Sequence, residues 1–208
     1  MAHAATVEAH DAVMQAPTQR EAGAGVYTEK LGMWVFLASE VMFFTALIGT
    51  YIILRFAHPE AWGTHPRDTP LNIPVTAVNT FLLICSSVTM VKAFASAQDG
   101  DQKWLRIWLI GTVLIGSTFV GVQVYEYREL IAHGFVPSQG LFGSTFYTMT
   151  GFHGFHVTMG VICMIFVTWR AFRGKYTSTD HRGVEVIGLY WHFVDLVWII
   201  LFTIVYLI

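Results

Sequence analysis

Charge is what this sequence has least of. Only 12% of its 208 residues are Asp, Glu, Lys or Arg, against about 25% in a soluble domain. With 54% of its residues hydrophobic, the chain is built for a bilayer rather than for water. A net charge of −2 argues against a nucleic-acid partner. Cysteine is scarce: Cys85 and Cys163 both lie in apolar runs and read as small buried hydrophobes rather than a disulfide. Proline stays out of the interiors of those runs, and no repeat or pair of matching halves is present. Both features argue against a self-contained transporter, whose helices are typically broken and duplicated. No nucleotide loop and no Ser or Cys nucleophile arrangement is found. Residues 1–30 lack the short apolar core of a secretory signal, so the N-terminus is expected to stay on the chain.

What the sequence does have is five apolar runs, at about 31–56, 73–97, 104–127, 144–170 and 186–208. Each is long enough to cross about 30 Å of hydrocarbon as a helix. The segments between them are too short for a soluble domain. The expected fold is an all-α membrane protein, a bundle of five transmembrane helices over 28–208. An Ala-rich tail, 1–27, is expected to be mobile and cytoplasmic, with His3 and His10 in solvent. Thr28 is expected to cap the first helix, and Pro74 falls in the first turn of the second. With the N-terminus in the cytoplasm, nine of the 12 Lys and Arg residues fall inside, and Arg55, Arg67 and Arg128 outside. The positive-inside rule favours that orientation, which puts the C-terminus on the outer side. Trp34, Tyr51, Trp104, Tyr125, Tyr147 and Trp169 lie toward run ends, where interfacial belts form.

A few polar side chains interrupt the runs: Glu40, Gln123, Glu126, His153, His156, His192 and Asp195. An ionised Asp at mid-membrane costs about 2.5–3.5 kcal/mol on insertion scales, so these groups are expected to face protein. Glu185, Gly188, His192 and Asp195 recur at steps of 3, 4 and 3, which places them on one helix face. The last helix is therefore expected to dock a polar stripe against a partner. Phe193, Val197, Ile200 and Ile204 occupy its other side. Glu40, His192 and Asp195 fall at similar depth. His153 and His156 share a helix face; with Glu40 and His192 they form a formal metal set, and one of them with His192 could ligate a haem. The Glu-x-x-His pairs of di-iron bundles are absent, and the plainer reading is that each His bonds a neighbouring helix or the Asp. Glu40 reads either as a hydrogen-bonded packing residue or as a tuned group beside a proton path. Tyr190, Trp191 and Trp198 read as packing residues. Gly151 and Gly154 are expected to permit close helix approach, and Ser117 and Gly121 to do the same in the third run.

Four stretches together resemble subunit III of the haem–copper oxidases. They are 34–44 (WVFLASEVMFF), 123–127 (QVYEY), 150–157 (TGFHGFHV) and 190–198 (YWHFVDLVW). They stand in family order and the resemblance covers about 28–208. It implies a subunit of a respiratory cytochrome oxidase with no catalytic residue, metal or redox cofactor of its own. Haem and copper are then expected in the partners: haem in the catalytic subunit I, copper in subunit II, with cytochrome c as electron donor. It further implies docking on subunit I, support of proton uptake and turnover stability, and contact with membrane lipids, including bound phospholipid. Glu40 matches the family's buried glutamate; His153, His156, His192 and Asp195 match its internal polar framework. Mitochondrial members have seven helices, with a lipid-holding cleft between the first two and the rest. Five helices resemble the forms found in the bacterial cytoplasmic membrane. Those include cytochrome c oxidases, quinol oxidases and a relative linked to nitric oxide reduction. Cytochrome c oxidase is the favoured reading and quinol oxidase the alternative.

Overall fold

Each apolar run becomes one long helix. The computed structural model describes residues 27–62, 71–138 and 140–207. The expectations for a mobile tail and for His3 and His10 lie outside these residues. We number the helices α1 (Thr28–Ala57), α2 (Ile73–Gln98), α3 (Gln102–Ala132), α4 (Gly140–Phe172) and α5 (Arg182–Phe202). All five are long and apolar enough to span a membrane, and no strand occurs among the described residues. A short 3-10 turn, Pro59–Trp62, follows α1. After α5 the backbone widens into a π-helical turn at Thr203–Leu207.

The helices outrun the apolar windows. α3 continues past 127 to Ala132 because Glu126, Arg128, Glu129 and Leu130 are good helix formers that need no lipid. α5 starts at Arg182 rather than 186, with Glu185 in its first turn, where a carboxylate suits the helix dipole. The caps are local chemistry. Asn72 Oδ1 accepts from the amide of Val75 and Pro74 sits in the first turn of α2. Asp101 Oδ1 accepts from the amides of Lys103 and Trp104 to open α3. Thr28 does not cap α1; it is already helical, and the N-cap position belongs to Tyr27, which gives no side-chain cap.

The α2–α3 connection turns through Gly100 at φ +76°, a conformation glycine adopts without a Cβ penalty. So short a link makes α2 and α3 antiparallel neighbours, and they form the most extensive helix pair. α4 lies against α3, and α5 packs on α1, α2 and α4. More than half of α5's span is buried (56%), against 11% for α1. The last helix is thus the centre of the bundle and the first helix its most open member.

Trp191 shows how α5 is held. It is fully buried, with its indole against Gly116 of α3 and Gly160 of α4. Its Nε1–H donates to Ser86 Oγ of α2 at 2.8 Å. These glycines admit the ring where any side chain would collide. Ser117 and Gly121 do not do this: both are exposed, and Gly121 has open space around it. In α4 the expectation holds for Gly154, where a Cβ would lie 2.7 Å from Gln123 Oε1. It does not hold for Gly151, which has only an ordinary contact at 3.8 Å.

Two further expectations are corrected. Tyr51 is no belt residue: it is wholly buried, packs edge-on to Trp62 and accepts a hydrogen bond from Arg55. Cys85 is half-buried and Cys163 exposed on an apolar face, both as free thiols. Lipid shields such a face as well as protein does, so an apolar run does not imply burial in the chain. Trp34, Trp104, Tyr125 and Trp169 are exposed, as a belt requires.

Candidate functional site

The polar residues within the helices form separate interhelical nodes rather than one cluster. The first joins α1 to α4: His156 Nε2 lies 3.0 Å from Glu40 Oε2, and His156 Nδ1 lies 2.7 Å from the carbonyl of Phe152. A carbonyl can only accept, so Nδ1 carries the proton toward it. Phe43 and Phe44 pack on the imidazole, and Tyr190 donates to the carbonyl of His156. Glu40 and His156 are half-buried, on the open side of the bundle that α1 forms.

The second node joins α2 to α5. Ser87 Oγ–H donates to Asp195 Oδ2, and His192 Nδ1 lies 3.0 Å from Ser87 Oγ. Asp195 is buried, and its Oδ1 has no hydrogen-bond partner among the described residues. Gly188 lets Met90 approach one turn away. The polar stripe of α5 is therefore turned inward on α2, not offered to a partner. A helix can only present such a stripe outward if its own chain leaves that face open, and α2 closes it. Glu185 alone departs from the stripe's course: it accepts from Tyr27 at 2.7 Å and pairs with Lys30 at 2.5 Å. Arg182 lies over the Tyr27 ring. Burial, then the hydrogen bond to Glu185, pushes the Tyr27 phenol up from 10.0.

The third node ties α3 to its neighbours near the far end. Thr76 Oγ1–H donates to Glu126 Oε1. Gln123 Nε2–H donates to the carbonyl of Thr150 at 2.9 Å, and Tyr127 and Thr150 share a bond of 2.7 Å. Glu126, Glu129, His133 and Tyr206 line a 200 Å³ cavity there.

His153 bonds nothing. It is fully buried, lies nearly flat on Trp198 at 4.7 Å, and neither ring nitrogen has a hydrogen-bond partner among the described residues. The expectation that each His bonds a neighbour thus fails at this position. The formal set of Glu40, His153, His156 and His192 does not assemble either, since only Glu40 and His156 meet. Among the described residues no three His, Cys, Asp or Glu side chains are placed to hold a metal.

Ser87, Thr76, Tyr27 and Lys30 were missed by sequence reasoning. Thr76, Thr80 and Ser87 follow one helix face, and that run of small hydroxyls is the signal that could have found Thr76 and Ser87.

At the end bearing Lys30, Arg170 and Arg182, a 750 Å³ groove opens between α1, α4 and α5. Met33, Ile162, Phe166 and Val167 give it an apolar floor, with Arg170 and Arg182 at its polar end. Four contacts gather the helix ends on this side. They are Lys30 with Glu185, Gln102 with the Tyr176 carbonyl, Arg106 with the Ala171 carbonyl, and Lys92 over Trp108.

Comparison with known proteins agrees with this architecture. The family described as "Cytochrome c oxidase subunit III" matches residues 9–208. A Mycobacterium leprae protein, "Probable cytochrome c oxidase subunit 3", is 43% identical over 178 residues, covering 86% of this chain and 87% of its own. "Cytochrome c oxidase subunit 3" of Thermostichus vulcanus is 40% identical over 178 residues, covering 85% and 86%. The protein of that name from Synechocystis sp. is 43% identical over 178 residues, covering 85% of this chain and 74% of its own. Five apolar helices, polar nodes between them, and a match along almost the whole length lead to one conclusion: the chain belongs to the cytochrome c oxidase subunit III family.

Proposed function

We propose that the chain is the non-catalytic subunit III of a bacterial respiratory cytochrome c oxidase, docked on a haem-bearing subunit I beside a copper-bearing subunit II. Cytochrome c supplies electrons to the complex, which reduces oxygen to water. The chain spans the cytoplasmic membrane several times, with its basic end and N-terminus inside. Its part is to stabilise the catalytic subunit and sustain proton uptake during turnover. The observation that carries this reading is the contrast between α5, closed within the bundle, and α1, left open with the half-buried Glu40–His156 pair on it. An open apolar helix bearing a paired carboxylate suits contact with another membrane subunit. The groove between Arg170, Arg182 and the α4 aliphatics suits a phospholipid, phosphate to the arginines and acyl chain along the floor.

The test is purification of the tagged chain from its own membrane in gentle detergent, with a visible spectrum and identification of what co-purifies. Haem accompanied by a large many-helix partner is the expected result. Copper in a second partner fits a cytochrome c oxidase, and its absence would shift the reading to a quinol oxidase. Haem held by the lone chain, or a colourless solitary protein, would overturn the proposal.

A further inference from the structure

Ser87 stands between two titratable groups with only one hydrogen to give. Its Oγ meets Asp195 Oδ2 on one side and His192 Nδ1 on the other. While Asp195 is ionised its carboxylate can only accept, so the Ser87 hydrogen goes to Asp195. Ser87 Oγ must then accept from His192, so the imidazole carries its proton on Nδ1 and Nε2 is a bare acceptor. When Asp195 is protonated every bond reverses. The carboxyl donates to Ser87, Ser87 donates to His192 Nδ1, and the imidazole proton sits on Nε2.

We propose that Ser87 is a positioning residue that links Asp195 to His192, so that a proton entering at His192 Nε2 is delivered to Asp195 Oδ2. The balance is simple. One proton binds Nε2; the Nδ1 proton passes to Ser87; the original Ser87 proton passes to Asp195. His192 is neutral before and after, and only its tautomer changes. The placement of the groups fits this. Asp195 is buried while His192 and Ser87 are half-buried, so the relay runs from the margin of the bundle to its interior. Among the described residues no hydrogen bond is made by Nε2, whereas Nδ1 is committed to Ser87. The other helices packed on α5 do not compete. From α1, Glu40 is engaged with His156 of α4; from α4, His153 stacks on Trp198 without a hydrogen bond. From α2, Ser87 is the residue that bonds the carboxyl.

The test is nitrogen NMR of the full chain in lipid nanodiscs with 15N-histidine, His192 being assigned by the signal lost in His192→Gln. Across a pH titration the Nδ1 and Nε2 shifts of His192 are expected to exchange patterns, with the ring neutral on both sides of the step. Ser87→Ala and Asp195→Asn are each expected to abolish the exchange, and Ser87→Thr, which keeps the hydroxyl, to retain it. One tautomer throughout in the native chain, a step that yields imidazolium, or an exchange that persists in Ser87→Ala would overturn the proposal. If Ser87→Ala does not fold, Asp195→Asn and Ser87→Thr decide by the same criteria.

Discussion

Gly116 and Trp191 meet backbone to ring: a methyl group on Gly116 would lie 2.7 Å from Cη2 of the indole. The indole is fully buried and cannot retreat, because Gly160 backs it so closely that a Cβ there would lie 3.0 Å from the ring, and Ser86 holds its nitrogen. Gly116→Ala is therefore expected to destabilise the bundle by about 1–3 kcal/mol, the usual cost of overpacking. Gly121→Ala on the same helix, where a Cβ would meet nothing within 4 Å, is expected to be neutral or to stabilise by up to ~1 kcal/mol. Thermal unfolding in detergent separates the two. Equal effects would mean that Trp191 does not fix the spacing of α3 and α5.

Trp198 Nε1 donates to Thr80 Oγ1 at 2.9 Å, with both residues buried. Thr80→Val strands the indole N–H in an apolar interior, which is expected to cost about 1–3 kcal/mol. Trp198→Phe in the same chain removes the stranded donor, so the double variant is expected to lose less than the sum of the singles. Additive losses in an unfolding experiment would contradict the pairing.

Glu40 and His156 are one unit on the open side of the bundle. In the assembled oxidase, Glu40→Gln is expected to leave haem content unchanged and to shorten the retention of activity over many turnovers. His156→Gln is expected to do the same, with the double variant no worse than the poorer single. A coupling of about 0.5–3 kcal/mol is the range for side chains in direct contact. Retention equal to the native complex in Glu40→Gln would reduce the pair to packing.

Alkali should loosen the basic end. Burial, with a smaller contribution from Asp180, raises the Tyr176 phenol above 10.0, and Tyr27 is raised likewise. The folded chain then holds these protons more tightly than the unfolded chain. Their stabilising effect is complete below pH 10 and lost as pH rises through the raised values. Tyr176→Phe is expected to flatten the stability curve above pH 10, measured by thermal unfolding at fixed ionic strength. An unchanged slope would show that this phenol does not drive the loss.

The five spans were legible because a bilayer demands long apolar runs, and the family because four polar stretches stand in order. What each polar group touches was not legible. The steps between Glu185 and Asp195 place them on one face of α5 but do not say whether the chain or a neighbour covers it, and α2 does. His153 and His156 share a face by spacing, yet the 60° between them turns one into the core and the other to α1. Cys163 shows the converse limit: in a membrane, an apolar neighbourhood is as readily lipid as protein.

The centrality of α5 carries a consequence for how the protein is made. Chains enter the membrane in sequence order, so α1 to α4 are inserted before the helix that unites them. Until then Thr80, Ser86 and Ser87 of α2 lack the indoles and carboxyl they later bond, and Gly116 and Gly160 border an unfilled slot. The half-made bundle is a cup awaiting its core, open to rival helices and to proteases that survey the bilayer. A ribosome stalled before Arg182 would thus leave behind not a shorter subunit but an unfinished one, its central slot unfilled.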